Sequence, residues 1–220
     1  MLDTPTISPA ARPIALCDLG VAPYLETLAR QHAHVAEVAA GRAPDTLFLV
    51  EHPPVITLGR QRASAAHILA AGDTPVVQVE RGGDVTWHGP GQLVGYPIVH
   101  LAPSERDVHQ LLRHLERALV DVLASVGLAA APRPGHTGVW VGGHKVASLG
   151  VAVRDWVTFH GFALNVSCDL AEFARIQPCG FDAGVMASIA SLGAPVPPRA
   201  VLVARVAAAV ARALGRRLVA

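Results

Sequence analysis

Three short segments of this 220-residue chain carry side chains that could do chemistry. The first runs from Arg81 to Leu93 and holds four glycines beside an arginine, a threonine and a histidine. Glycines at this density let a ligand approach the backbone closely and leave N–H groups free to bind it. The segment therefore predicts the wall of a binding pocket.

The second segment is Gln177-Pro178-Cys179-Gly180. Proline stiffens the chain before the thiol and has no N–H, whereas glycine removes steric bulk after it. This context suits a reactive Cys179, although a buried structural cysteine fits the local sequence equally well. Cys17 and Cys168 lack such a setting, and we interpret both as structural.

The third segment, from Gly142 to Gly150, contains Lys145, the only lysine of the chain. A thiol reacts as its thiolate, so a reactive cysteine needs a base or a cation nearby. A solitary lysine in a glycine-flanked strand makes Lys145 a candidate for that group. The ordinary alternative is a solvated surface lysine.

Histidines offer a competing base, because Cys–His pairs serve cysteine hydrolases. His88, His144 and His160 all flank glycine-rich turns, and spacing does not choose among them. A metal site built from His136, His144, His160 and a cysteine matches no established ligand spacing, so we expect no metal. The sequence contains neither a P-loop nor a dinucleotide-binding glycine fingerprint.

The composition limits the class of protein. The chain is 51% hydrophobic with a formal net charge of +1, which suits one buried core and gives no support for nucleic-acid or membrane partners. Its apolar runs are broken well before the roughly 20 residues that a membrane span requires. Three cysteines without zinc-type spacing, and no signal-peptide pattern, predict a cytoplasmic protein. We expect a disordered tail over residues 1–11 and a single catalytic domain over 12–220.

The spacing of apolar residues along the chain predicts the helices and strands that must position these segments. Three helices are predicted: Pro23–Ala40 ending at Gly41, a second one capped by Ser104 with a stripe from Val108 to Val122, and Arg199–Leu214. Predicted strands are Thr46–Glu51, Val55–Gly59, Val76–Arg81, Gln92–Leu101, Gly138–Val141, Lys145–Val153 and Thr158–Val166. Because strands and helices do not strictly alternate, the pattern favours an α/β fold of the α+β type, with a mixed sheet flanked by helices.

Several motifs, in this order, resemble the lipoyl(octanoyl) transferases. They are Glu51-His52-Pro53-Pro54-Val55, Thr57-Leu58-Gly59-Arg60, Arg81 to Gln92, His144 to Gly150, His160 to Asn165 and Pro178-Cys179-Gly180. The resemblance implies the biotin/lipoate protein ligase-like fold. It also implies an enzyme that moves an octanoyl or lipoyl group from acyl carrier protein to a specific lysine of lipoyl domains, the first step of protein lipoylation, with no ATP or other cofactor.

The resemblance also implies residue roles. Cys179 resembles the acyl-thioester nucleophile, and Lys145 resembles the lysine that activates it. The residues expected to line the acyl pocket are Arg81, Gly82, Gly83, Asp84, Val85, Thr86, Trp87, His88, Ser148, Leu149, Gly150, Gly161, Phe162 and Ala163. Gln177 departs from the family pattern, which has asparagine before the Pro-Cys pair.

The implied partners are acyl carrier protein, the lipoyl domains of 2-oxoacid dehydrogenase complexes and the glycine cleavage H protein. Because these partners have acidic surfaces, we expect an arginine patch near the pocket mouth, with Arg60, Arg62 and Arg154 as candidates.

Three other functions remain open. A ligase of the same fold would activate the free acid with ATP and would not need Cys179. A cysteine hydrolase would use His88 or His160 and pass the acyl group to water. A noncatalytic module would bind the same partners without becoming acylated.

Overall fold

The computed structural model describes residues 11–61, 64–177 and 183–219. The strands within these ranges are β1 (Pro13–Val21), β2 (Asp45–Glu51), β3 (Val55–Leu58), β4 (Val76–Gln78), β5 (Thr86–His88), β6 (Gln92–Ile98), β7 (Ala130–Arg133), β8 (His136–Val141), β9 (His144–Arg154), β10 (Val157–Asn165) and β11 (Arg217–Val219). The helices are α1 (Tyr24–Ala39), α2 (Val108–Ala124) and α3 (Arg199–Ala213). The tail predicted over residues 1–11 lies, apart from Ala11, outside the described residues.

The described strands form two sheets. The larger has the order β11-β1-β2-β6-β10-β9-β8-β7, in which β1 runs parallel to β11 and β2 and the other neighbours are antiparallel. In the smaller sheet, β3 lies between β4, to which it is parallel, and β5, to which it is antiparallel. The expected mixed sheet flanked by helices is therefore confirmed.

Helices cover both faces of the larger sheet. Alternate side chains of a strand point to opposite faces, and β2 is buried on both. Leu47 and Leu49 join a core with α2 and α3, whereas Phe48 and Val50 pack in a second core with Val35 of α1. Burial on both faces explains why β2 reads as an uninterrupted apolar run instead of an alternating one.

The cap of α2 differs from the prediction. Ser104 lies in a short 3₁₀ turn, Pro103–Glu105, and Asp107 is the N-cap. Its carboxylate accepts hydrogen bonds from the N–H groups of His109 and Gln110, at 2.9 and 3.0 Å. The assignment of the cap to Ser104 was wrong because a carboxylate two residues before the first free N–H groups reaches them directly.

Candidate functional site

A cavity of about 380 Å³ opens where β9 and β10 meet the loop that precedes β5. Residues from all three glycine-containing motifs that were expected to line a pocket surround it. They are Arg81, Gly82, Gly83, Asp84, Val85, Thr86, His88, Lys145, Ser148, Leu149, Gly150, Gly161, Phe162 and Ala163. Segments about 80 residues apart in the sequence thus share one cavity.

The pairing of β9 with β10 brings two of these motifs together. In the antiparallel register, Ser148 pairs with Ala163, Leu149 with Phe162, and Gly150 with Gly161. A Cβ at Gly150 would lie 2.7 Å from the carbonyl oxygen of Gly82. Glycine is therefore required at position 150 for the loop to lie directly on the strand.

Two charged residues anchor the loop over this sheet. The Arg81 guanidinium donates from Nη2 to the carbonyl and the hydroxyl oxygens of Thr57, both at 2.9 Å. The Asp84 carboxylate accepts the N–H of Val85 at 2.7 Å and pairs with His67. Arg81 and Asp84 thus hold the loop in shape in addition to lining the cavity.

Trp87 is the expected lining residue that does not face the cavity. It is almost fully buried and its ring packs edge-on against Phe173, with 5.4 Å between the ring centroids. Trp87 and His88 are consecutive residues of β5, so their side chains point to opposite sides. The structure places Trp87 in the core beneath the loop.

Lys145, the second residue of β9, is only 4% exposed. The register of β8 and β9 shifts at this point, since Val139 pairs with Ala147 but Trp140 pairs with Lys145. Such a bulge re-aims the side chain of the strand that carries it. The Lys145 Nζ atom lies 5.7 Å from the centre of the Trp140 ring, and the Lys145 carbonyl accepts the N–H of Ala187 at 2.9 Å.

Pro178, Cys179 and Gly180 lie outside the described residues, as does Arg62. Of the other cysteines, Cys168 is buried, and burial raises the pKa of its thiol to about 12. Such a thiol stays protonated at neutral pH, in keeping with the structural role expected for Cys168.

His88 lies in a cluster with Tyr24, His52 and Tyr96. Its Nδ1 lies 3.1 Å from the Oε1 of Gln92, whose amide nitrogen donates to Asn165 Oδ1. The Gln92 oxygen is therefore the acceptor, and His88 carries its proton on Nδ1. Burial, and then the nearby His52 and Arg81, lower the pKa of His88 to about 3.

His160 is also neutral and buried, with 1% exposure. Its backbone has a left-handed φ of 56°, and its N–H donates to Gln31 Oε1 at 2.8 Å. Burial, followed by the charge of Arg81, lowers the pKa of His160 to about 4, although Glu80 opposes this shift. His136 lines the cavity and His144 is exposed, and within the described ranges no group of these residues forms a metal-binding cluster.

Several residues that border the cavity were not among those predicted to line it. Tyr24, Gln61, Val94, Tyr96, Val108, Leu112, Gly135, His136, Thr137, Val151 and His160 also border the cavity. His160 begins the His160–Asn165 motif, which was a usable signal, whereas Tyr24 and Val108 begin helices and reach the cavity only through the fold.

The arginines expected at the pocket mouth have different surroundings. Arg60 is exposed and precedes the lining residue Gln61. Arg154 lies 3.4 Å from Glu80, and its guanidinium lies 5.4 Å from the centre of the Phe159 ring.

No helix in the described part of the chain is long and apolar enough to span a membrane.

Comparison with known proteins shows the family to which this chain belongs. A family model described as the lipoyl protein ligase A/B catalytic domain matches residues 23–215. The chain belongs to this family. Its relatives include the octanoyltransferase of Geobacter sulfurreducens, which is 50% identical over 202 residues, covering 89% of this chain and 81% of the relative. The octanoyltransferase of Gloeobacter violaceus is 52% identical over 167 residues, covering 75% of each chain. This member of the lipoyl protein ligase A/B family is therefore an acyltransferase.

Solved structures share the fold of this acyltransferase. A crystal structure of lipoate-protein ligase A bound with ATP has a TM-score of 0.70 at 13% identity, covering 96% of this chain and 90% of that one. Biotin protein ligase from Aquifex aeolicus has a TM-score of 0.52 at 13% identity, covering 91% and 68%. The expected biotin/lipoate protein ligase-like fold is confirmed.

Proposed function

We propose that this acyltransferase moves an octanoyl group, or a lipoyl group, from acyl carrier protein to a specific lysine of a lipoyl domain. The proposal rests on the 50% sequence identity to a protein named octanoyltransferase. It is supported by the cavity, which is bordered by the motifs that resemble that family. The cavity volume falls in the usual range for small-molecule sites, about 300–1,000 Å³.

The cavity wall suits an acyl chain. Val94, Leu149 and Phe162 offer apolar surface, while the glycines of the loop and of β9 and β10 let the chain approach the backbone. Backbone N–H groups of the glycine-rich segments would stabilise the oxyanion that forms at the thioester carbon.

In the proposed first half-reaction, Lys145 takes the thiol proton of Cys179, and the thiolate attacks the carbonyl carbon of the carrier thioester. The tetrahedral intermediate expels the carrier thiolate, which takes a proton from the Lys145 ammonium. One thioester replaces another, so this step needs no external energy source. Met186 forms a β-bridge with Lys145. Seven residues separate Met186 from Cys179 in the sequence, and seven fully extended residues span about 25 Å at most.

In the second half-reaction, the amine of the substrate lysine attacks the acyl-enzyme. Lys145 accepts the proton that the amine loses, and the Cys179 thiolate leaves. An amide replaces a thioester, which pulls the sequence forward. The acceptors would be the lipoyl domains of 2-oxoacid dehydrogenases and the glycine cleavage H protein. The reducing cytoplasm, where a free thiol persists, suits this chemistry.

Two observations weigh against the rival functions. His88 and His160, whose pKa values are lowered to about 3 and about 4, are weak bases at neutral pH, which disfavours a Cys–His hydrolase. The relatives at half-identity are named for acyl transfer, which disfavours a noncatalytic module. We propose that ATP is not used, although a protein of the same fold has been crystallised with it.

Intact and peptide mass spectrometry tests the proposal. Wild type, Cys179→Ala and Lys145→Ala are each mixed with octanoyl-acyl carrier protein in the absence of ATP. We expect an octanoyl adduct on Cys179 of the wild type that a lipoyl domain discharges, no adduct in Cys179→Ala, and acylation slowed by at least about 100-fold in Lys145→Ala. Transfer that requires ATP and free octanoate, and that survives loss of Cys179, would replace the proposal with the ligase function.

A further inference from the structure

Glu116 is a fully buried carboxylate in the middle of α2, with 0% exposure. A carboxylate is costly to bury unless it is paired and hydrogen-bonded, and apolar residues of similar size often serve a core equally well or better. Packing of α2 therefore does not account for a glutamate at this position. The partners of Glu116 indicate what else it does.

The two oxygens of Glu116 have different partners. One accepts from the guanidinium of Arg113, one turn earlier on α2, whose side chain is 43% exposed. The other, Oε1, accepts the backbone N–H of Gly138 at 2.9 Å. The register of β7 and β8 skips Thr137 and Gly138, because Val139 pairs with Pro132 and His136 with Arg133. Glu116 thus binds an N–H that this strand pair leaves out.

Gly138 in turn supports Lys145. Its φ is +142°, and a Cβ at this position would lie 2.5 Å from Lys145 Cε and 3.3 Å from Lys145 Nζ. The end of the lysine side chain therefore rests on the bare Cα of Gly138. Since Glu116 holds the peptide of Gly138, the location of the Lys145 amine depends on the Glu116 carboxylate.

We propose that Glu116 is a positioning residue for Lys145 and acts through Gly138. The proposal rests on the proposed function, in which Lys145 moves the proton of Cys179 and later that of the acceptor amine. Misplacing a reacting group by about 1 Å can lower a rate about 100-fold, so a small shift of the Gly138 peptide is enough to be measured.

Two substitutions at Glu116 separate positioning from stability. Glu116→Gln keeps an oxygen that can accept the Gly138 N–H, and Arg113 is exposed enough to turn to solvent. Glu116→Leu fills the same space without an acceptor. For octanoyl transfer to a lipoyl domain, we expect Glu116→Leu to lower kcat by about 10–100-fold with little change in KM, and Glu116→Gln to restore most of it. Melting temperature shows that each variant is folded.

A matched pair of glycines tests the same contact from the other side. Gly138→Ala and Gly142→Ala both place a side chain at positive φ, +142° and +54° respectively. A Cβ at position 138 would meet Lys145 Cε at 2.5 Å and the carbonyl oxygen of Ala147 at 2.8 Å, whereas a Cβ at Gly142 meets nothing within 4 Å. We expect Gly138→Ala to lose kcat and to shift the pH dependence of kcat, and Gly142→Ala to leave both unchanged. The melting temperatures of both glycine variants show whether the contact with Ala147 at position 138 also destabilises the fold, and the pH dependence of kcat reports on Lys145 itself.

The outcomes distinguish the two proposals. The role of Glu116 would be overturned if Glu116→Leu kept the kcat and the pH profile of the wild type. It would also be overturned if Glu116→Leu and Glu116→Gln lost kcat equally. Equal effects of the two glycine substitutions would do the same. Full activity in Lys145→Ala would instead overturn the proposed function, because Lys145 would then move no proton.

Discussion

Lys145 and His88 border the same cavity but differ in what they can contribute to proton transfer. The contact with Gln92 fixes His88 as the tautomer that carries its proton on Nδ1. Burial lowers the pKa of the His88 ring to about 3. A ring with that pKa stays neutral and does not change its protonation state between pH 6 and 9. At the scale of single residues, the site therefore contains a buried amine beside histidines that act as neutral polar groups.

We predict that His88→Gln preserves the shape of the pH–rate profile between pH 6 and 9 while lowering its height. Glutamine retains polar atoms near Gln92 but removes the ring that stacks on Tyr24, at 5.9 Å between centroids. The measurement is kcat/KM across this pH range, with Lys145→Ala for comparison. Loss of one limb of the profile in His88→Gln would show that His88 titrates during catalysis.

At the scale of elements, the sequence predicts what is local. The helices appear where apolar residues recur at helical spacing, and Gly41 follows α1 with a φ of +71°, as expected. Strands β1, β5, β7 and β11 were not predicted. β1 and β11 pair with each other, β5 pairs with β3 earlier in the chain, and β7 pairs with the next strand, β8, but contains a proline, which is uncommon within strands. For β1 and β11, the partner lies about 200 residues away.

The candidate site divides in the same way. Its glycine-rich motifs could be read from residue types, because close backbone approach requires glycine wherever it occurs. Tyr24 and Val108 could not, because they border the cavity only once α1 and α2 have packed on the sheet. Nor could Glu116, whose role depends on a hydrogen bond between α2 and β8.

The start of α2 gives a prediction at this scale. Asp107→Ala removes an acceptor from two helix N–H groups and should lower the free energy of unfolding by about 1 kcal/mol. Ser104→Ala, three residues earlier, should change it by less than about 0.5 kcal/mol. Urea unfolding of the two variants and wild type measures both. A larger loss in Ser104→Ala than in Asp107→Ala would contradict the cap assignment.

At the scale of the whole molecule, the buried histidines link stability to pH. Burial lowers the pKa values of His52, His88 and His160 below the ordinary 6.5, the latter two to about 3 and about 4. Below pH 6.5 the unfolded chain therefore binds more protons than the folded one. The contribution of these histidines to the free energy of unfolding should therefore be fully present above pH 6.5 and should be lost as the pH falls towards 4. Each histidine can lower the free energy of unfolding by up to about 1.4 kcal/mol per pH unit in this range.

We predict that His160→Asn reduces this slope, since asparagine tolerates a left-handed backbone and does not titrate. His144→Asn, which removes an exposed histidine, is the matched control and should leave the slope unchanged. Chemical unfolding at pH values from 7 to 4.5 gives the slopes. Equal slopes for wild type and His160→Asn would show that His160 is not a source of the acid sensitivity.

The burial of Lys145 also bears on self-modification. In the proposed reaction an acyl group passes from a thioester to an amine, and lysines on the enzyme's own surface would compete with the acceptor because they are tethered near the thioester. This chain has a single lysine side chain, and β9 holds it against Gly138 and Trp140 instead of presenting it to solvent. With every other basic side chain an arginine or a histidine, its surface offers no lysine amine for stray acylation.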